Sequence, residues 1–303
     1  MLSICVPIYN FDVRSLVSDL SKQINGSDYP IELILIDDAS SVEFKRLNKE
    51  ECNKHIYIEL PENIGRSRIR NLFLQYANFE NLLFLDCDVG IGRKFLENYL
   101  LFLRNKEFDV IFGGLTYNSA KPPVTHRLRW HYGTQRESVT TLARSKFPYK
   151  YFKTCNFVIK KEVLNEIKFD EKIIGYGHED TLFAIELEKH NKLVLHINNE
   201  VSHDSNESNE EFLEKTQKSA DNLAFIYKTY EDKKAIIQYS KLLSSHFQLR
   251  KFRLINLFHF SYSICEPIVN EFLRSGTKHL LIFDLYKLNC MNEAMKRNDV
   301  CSI

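Results

Sequence analysis

The chain reads as an α/β protein, a doubly wound layer of strands and helices followed by a helical C-terminal extension. Three observations predict this. Short apolar runs alternate with helix-periodic segments through the first half. Several of those runs end abruptly in carboxylates, as in Asn81-Leu82-Leu83-Phe84-Leu85-Asp86-Cys87-Asp88. Beyond about residue 207 the apolar residues fall at helical spacing only.

Taken in order, Leu2–Ile8 reads as a strand and Val13–Ile24 as a helix with Leu16, Leu20 and Ile24 on one face. Ile31–Ile36 is a second strand, ending in Asp37-Asp38, and Ile56–Leu60 a third. A helix from about Gly65 to Ala77 leads to the strand Leu82–Leu85. A helix near Lys94–Arg104 returns to Val110–Phe112. From Tyr117 to Tyr151 periodicity fails, and a long irregular stretch holding the single tryptophan, Trp130, reads as a lid or binding loop. Thr154–Ile159 is a strand, Lys161–Ile167 a helix, another helix opens near Glu179, and Leu193–Ile197 is a strand. Leu213, Ala220, Leu223, Ala224 and Tyr227 mark a helical stripe, and Gly276 a break between later helices.

Length and composition bound the function. At 303 residues, 44% apolar and 27% charged, the chain can bury a full core. A net charge of +1 argues against a nucleic-acid partner. The N-terminus lacks a basic region before its first apolar run and does not read as a secretory signal. Seven scattered cysteines without CxxC spacing suit a reduced, cytoplasmic protein and no cysteine-built zinc site. The longest apolar candidate for a membrane span, Leu254 to Val269, is interrupted by Asn256, His259 and Glu266.

The chemistry concentrates at strand ends. Open α/β sheets bind ligands at the carboxyl ends of their strands. Asp86 and Asp88, one residue apart, can converge there on a divalent cation, or on a cation and a ribose hydroxyl; the alternative is an acidic turn that stops the strand. No GxGxxG or GxxxxGK[ST] is present, which excludes the usual dinucleotide and P-loop sites. A carboxylate at the tip of the second strand, Asp37 or Asp38, can accept a base N–H or merely cap the next helix. Arg66 and Arg70 lie one turn apart at a helix start, suited to a diphosphate or to a solvated face. Gly175-Tyr176-Gly177-His178-Glu179-Asp180 places two carboxylates at the opening of a helix, where the dipole favours the ionised form. An ionised Asp there is a competent base for a hydroxyl nucleophile. His203 can add an imidazole ligand to a metal. Trp130, His131 and Tyr132 offer aromatic faces for a sugar.

Together these motifs resemble family 2 glycosyltransferases of the GT-A fold. The matching pieces are Val6-Pro7-Ile8-Tyr9-Asn10, Asp37-Asp38-Ala39-Ser40, Asn63-x-Gly65 leading to Arg70-Asn71, Asp86-Cys87-Asp88, Asn156, Phe169-Asp170-Glu171, and Gly175 through Asp180, in order over residues 1–205. The resemblance implies a doubly wound mixed sheet, with 1–207 catalytic (1–115 for the donor, 116–207 for the acceptor) and 208–303 a helical extension. It implies Mn²⁺ or Mg²⁺ on Asp86, Asp88 and His203, bridging the diphosphate of a UDP-sugar. Pro7, Tyr9, Asp37, Asp38, Asn63, Arg66, Arg70, Asp86 and Cys87 would line the donor. Asp180 would be the base of an inverting displacement and Glu179 its orienting neighbour. Trp130, His131, Tyr132, Tyr176 and His178 would meet a glycan or lipid-linked glycan acceptor in polysaccharide biosynthesis. Ala39 departs from the family's commoner glycine, and Arg66 and Arg68 make their segment unusually basic. A sugar nucleotidyltransferase is less favoured, because Tyr9-Asn10-Phe11-Asp12 lacks the glycine-rich loop expected there. A non-catalytic glycan-binding protein on a degenerate GT-A fold is the other alternative. The extension, with Gln248-Leu249-Arg250-Lys251-Phe252-Arg253, is expected to pack on the catalytic domain or a second subunit, or to rest on the inner face of a membrane.

Overall fold

The computed structural model describes residues 1–105, 107–118, 120–203 and 207–300. Strands β1 (Leu2–Ile8), β2 (Ile31–Asp37), β3 (Ile56–Glu59) and β4 (Asn81–Leu85) alternate with helices α1 (Arg14–Asn25), α2 (Val42–Cys52) and α3 (Arg66–Tyr76). The chain continues through β5 (Val89–Gly90), α4 (Phe95–Asn105), β6 (Val110–Phe112), β7 (Leu115–Tyr117), α5 (Arg127–Tyr132), α6 (Thr141–Ser145) and β8 (Asn156–Lys160). Then come α7 (Lys161–Glu166), α8 (Glu179–Lys189), β9 (Val194–His196) and β10 (Val201–His203). Helices α9 (Asn209–Thr229), α10 (Lys233–Tyr239), α11 (Lys241–Lys251), α12 (Ile255–Arg274) and α13 (Leu280–Val300) complete it.

The main sheet has the order β3-β2-β1-β4-β8-β6-β9. β1, β2, β3 and β4 run parallel, β8 is antiparallel to both its neighbours, and β6 pairs parallel with β9. This is the expected doubly wound mixed sheet. Its parallel strands are continuous apolar runs because both faces are covered; Leu2, Ile4, Val6, Leu33, Leu35, Leu83 and Leu85 meet in one core. The strand order reverses between β1 and β4, so the crevice that such sheets use for ligands opens at their carboxyl ends. A smaller sheet, β5-β10-β7, stands beside it, with His203 opposite Val89.

The chain divides into two compact units, and the division differs from a single boundary at residue 207. Met1–Thr116, Ser138–Ile174 and Glu179–Asp204 form the first; Tyr117–Glu137, Gly175–His178 and Ser205–Ile303 form the second. The second unit has its own core, in which Leu128 of α5 meets Phe212, Leu213, Tyr262, Val269, Leu273 and Phe283. Helix α9 opens on a capping box made by Ser208 and Glu211. Gly276 adopts φ +72° between α12 and α13, and a side chain there would also strike the Val124 carbonyl at 2.5 Å.

The stretch 117–151 is not the irregular loop that its pattern suggests. It contains α5, a π turn over Gly133–Glu137, and α6. Besides the buried Leu128, two arginines anchor it. Arg129 pairs with Glu137 at 2.8 Å, and the wholly buried Arg144 donates to the carbonyls of Val139, Gly113 and Ile197 and to Glu200 at 3.0 Å. Helix α2 escaped the sequence reading for a similar reason. Its buried Asn48 accepts from the Val13 amide and donates to the Phe11 carbonyl, a polar attachment with no apolar period.

Beside Arg144, His196 donates Nε2–H to the Pro148 carbonyl at 2.8 Å and turns Nδ1 to the guanidinium at 3.4 Å. Burial holds its pKa down to about 4; the Pro148 bond opposes this and the Arg144 charge adds to it. Between pH about 6.5 and about 4 the unfolded chain therefore takes a proton at this site that the folded chain refuses, so stability falls as pH falls through that window. Urea melts across it are expected to show a shallower pH slope for His196→Gln than for the wild type. Equal slopes would mean that His196 titrates normally in the fold.

Among the described residues no helix is long and apolar enough to cross a membrane. Six cysteines are free thiols; Cys301 lies outside the described residues.

Candidate active site

The carboxyl ends of β1, β2 and β4 carry Pro7 and Tyr9, Asp37 and Asp38, and Asp86 to Asp88. Hydrogen bonds tie these ends together: the Asn10 amide donates to Ser40 Oγ and the Ser41 amide to Asn10 Oδ1, both at 2.8 Å. Cys87 makes a hydrogen bond to the backbone of Tyr9, and burial raises its thiol pKa far out of reach of neutral pH. Pro7 is half-buried and Tyr9 exposed.

The Asp37-Asp38 pair divides its labour. Asp38 accepts the amides of Ile64 (2.7 Å) and Gly65 (3.1 Å), while Asn63 donates to the Asp38 carbonyl at 3.1 Å. Asp38 and Asn63 thus clamp the turn that launches α3. Burial raises the Asp38 pKa against the pull of those two amides. Asp37 is fully buried; one of its oxygens accepts the Ser40 amide at 2.7 Å, and the other has no hydrogen-bond partner among the described residues. A buried carboxylate oxygen without a hydrogen bond is costly.

The basic start of α3 is not one solvated face. Arg70 is 2% exposed and donates to Asp86 Oδ1 at 3.0 Å and to Glu179 Oε1 at 3.5 Å. Arg66 reaches the same Glu179 oxygen at 3.7 Å, whereas Arg68 leans toward Glu171 at 4.0 Å. Asn71 fixes the other side of the helix by donating to the Phe169 carbonyl and to Glu171, both at 2.9 Å. The Arg70 guanidinium lies 5.7 Å from the centre of Phe169, whose ring stacks on Phe183.

The two aspartates of Asp86-Cys87-Asp88 have different partners. Asp86 meets Arg70; burial raises its pKa, with Arg70 opposing and Asp88 reinforcing the rise. Asp88 Oδ2 lies 3.0 Å from His203 Nε2. Burial alone would raise the Asp88 pKa, but the hydrogen bond and charge of His203, helped by Arg66, bring it below the usual carboxylate value. The β5–β10 pairing, with His203 opposite Val89, sets this meeting. Among the described residues no group of three or more His, Cys, Asp or Glu side chains forms a ready-made metal cage.

At the opening of α8, Glu179 is buried beneath Arg66 and Arg70, which makes it a charge partner. Asp180 keeps one oxygen on the Thr181 amide at 2.7 Å and turns the other to Lys153 Nζ at 2.8 Å. Lys153 was invisible to sequence reasoning, since a lone lysine in an irregular stretch carries no motif.

The aromatic and histidine residues expected to meet an acceptor belong to the second unit. Trp130 donates Nε1–H to the Asn118 carbonyl at 2.8 Å and packs edge-on against His131 at 4.9 Å. Burial lowers the His131 pKa, with nearby Lys121 and Arg127 adding to the effect. Tyr132, partly buried, packs against Phe212 and Phe283, with Lys287 Nζ 5.1 Å from its ring centre. Tyr176 faces Lys215 Nζ at 5.7 Å. His178, at φ +70°, meets Ser219 Oγ at 3.0 Å, and Asn222 donates to the Gly177 carbonyl.

The family model described as "Glycosyl transferase family 2" matches residues 3–168. The chain belongs to glycosyl transferase family 2. Similar to it are an uncharacterized glycosyltransferase of Haemophilus influenzae, 26% identical over 61% of this chain and 71% of that protein, and the minor teichoic acid biosynthesis protein GgaB of Bacillus subtilis. The latter is 28% identical over 56% of this chain, which corresponds to only 19% of GgaB's length. Solved structures share the GT-A fold. TarS of S. aureus in complex with UDP has a TM-score of 0.52 at 19% identity, covering 99% of this chain and 91% of that one. The mannosyltransferase PcManGT of Pyrobaculum calidifontis, in complex with GDP-Man and Mn²⁺, has a TM-score of 0.59 at 14% identity, covering 99% and 86%. In this family 2 glycosyltransferase the Asp37 and Asp86-to-Asp88 segments lie at the carboxyl ends of β2 and β4.

Proposed function

We propose that this glycosyltransferase is metal-dependent and inverting, and that it moves a sugar from a nucleotide-diphosphate sugar to a hydroxyl of a glycan or lipid-linked glycan. The observation that carries the reading is the junction of Asp88 and His203 at 3.0 Å beside the Asp86–Arg70–Glu179 chain. A carboxylate oxygen and an imidazole nitrogen held together by a strand pair suit two of the six positions around Mn²⁺ or Mg²⁺. Such cations commonly take their remaining ligands from substrate phosphates and water. When bound, the cation would neutralise charge on the departing diphosphate.

The chain's own residues supply the rest. A carboxylate at the tip of β2, Asp37 or Asp38, is suited to accept a base N–H, which places uridine first among the nucleotides. Arg66, half-exposed above Glu179, has the forked geometry that suits a diphosphate. Asp180 keeps an oxygen on a half-exposed lysine, whereas Glu179 is buried under arginines, so Asp180 suits removal of the acceptor proton better. A single base and direct displacement invert the anomeric carbon. The neighbours that hold UDP, or GDP-Man with Mn²⁺, support the class of donor and cofactor.

Calorimetry with UDP, GDP, CDP and ADP, each with and without Mn²⁺, tests the donor site. One nucleotide is expected to bind at least about tenfold more tightly with the metal, and Asp88→Ala to remove that gain. Binding of none of them would sink the donor assignment and favour a non-catalytic glycan-binding role on the same fold.

A further inference from the structure

Helix α12 is apolar on two faces, and only one of them is covered. Tyr262, Val269 and Leu273 pack into the core of the second unit. On the far side Leu257, Phe260, Ile264, Ile268 and Phe272 follow one another at intervals of three or four residues, from 49% exposed at Phe272 to 64% at Phe260 and Ile264. They form a stripe along a helix of 20 residues, about 30 Å long. A helix that is hydrophobic nearly all round normally has a second apolar partner.

The charges around the stripe indicate which partner. At its N-terminal end the turn out of α11 carries Arg250, Lys251 and Arg253, interleaved with exposed Phe252 and Leu254. None of these three cations has an ion-pair partner among the described residues. From residue 250 to 278 the chain holds five lysines and arginines against two carboxylates, Glu266 and Glu271, whereas the whole chain balances to +1. Glu271 lies near the C-terminal end of the stripe, and Glu266 falls on the opposite side of the helical wheel from Leu257.

We propose that this face docks on an anionic lipid surface. The stripe would sink into the boundary between headgroups and acyl chains while Arg250, Lys251 and Arg253 meet lipid phosphates. A second copy of the chain fits less well. In a two-fold interface the stripe would face its own image, and that image offers two carboxylates to five cations.

The test uses the full chain and vesicles of phosphatidylcholine alone or with about 30% phosphatidylglycerol. Partition onto the anionic vesicles is expected to exceed that onto neutral ones by at least about tenfold and to weaken as salt is raised. The charge variant Arg250→Gln/Lys251→Gln/Arg253→Gln is expected to lose that preference. Ile264→Asn/Ile268→Asn is expected to lose binding at every salt concentration. All five positions are exposed, so both variants should keep the wild-type thermal melt, and nucleotide binding reads the donor site separately. Absence of binding, or equal binding to both vesicles, would overturn the proposal. A lipid-free dimer in sedimentation that Ile264→Asn/Ile268→Asn dissociates would overturn it too, by giving the face to a second copy.

Discussion

Asp180→Asn is expected to reduce turnover by about 10²–10⁴-fold while leaving nucleotide affinity within about twofold. The substitution is nearly isosteric, and an amide oxygen can still accept from the Thr181 amide that holds the side chain at 2.7 Å. What disappears is the negative charge now paired with Lys153 at 2.8 Å. An amide cannot take a proton from an incoming hydroxyl, so the loss belongs to the chemical step and leaves untouched Asp37, Arg66 and Asp88, the residues proposed to hold the donor. Lys153 is 46% exposed and Asp180 15%, so water can solvate the ammonium as the lysine yields the carboxylate to an acceptor. Steady-state rates for transfer, set beside calorimetric nucleotide affinity, separate the two effects. Equal losses in both would make Asp180 a donor-binding residue.

The main sheet could be read from residues because its strands are continuous apolar runs with abrupt polar ends. β1 and β6 lie where the pattern puts them, and β2 and β4 extend by one residue each. What escaped was held by polar anchors. Helix α2 is tied by Asn48, α5 by Arg129 as well as by Leu128, and α6 by Arg144, and no periodicity of apolar residues records a buried guanidinium. The site divides in the same way. The carboxylates at strand ends stood out by position, but their partners came from distant segments: Arg70 from a helix that read as a basic face, Lys153 from an unpatterned stretch. Neighbours in space supplied what neighbours in sequence could not, such as the distinction between Asp38, clamped by two amides, and Asp37, fully buried with one oxygen on the Ser40 amide. The packing partners of Tyr132, Phe212 and Phe283, likewise come from segments far along the chain.

Arg70→Met should cost about 3–5 kcal/mol of folding stability at neutral pH, because it strands two carboxylates that share one buried cation. Arg70 is 2% exposed and Glu179 5%, so water cannot replace the guanidinium well. Arg66 remains near Glu179 at 3.7 Å, but nothing comparable remains at 3.0 Å from Asp86. The Asp86 pKa, already raised by burial, would rise further once its lowering partner is gone. An acid whose folded pKa lies above its unfolded value destabilises the fold as pH rises through the gap between them, since the folded state there holds a proton that the unfolded state has released. The deficit of the variant should therefore be greatest near about pH 7 and shrink toward about pH 4. Combining Arg70→Met with Asp86→Asn should recover part of the loss, because the second change removes the stranded charge. Urea melts of the wild type, both single variants and the double variant across that range measure each quantity. A deficit that stays constant with pH and is not relieved by Asp86→Asn would mean that Arg70 stabilises the fold through its packing over Phe169, and that its charge contributes little.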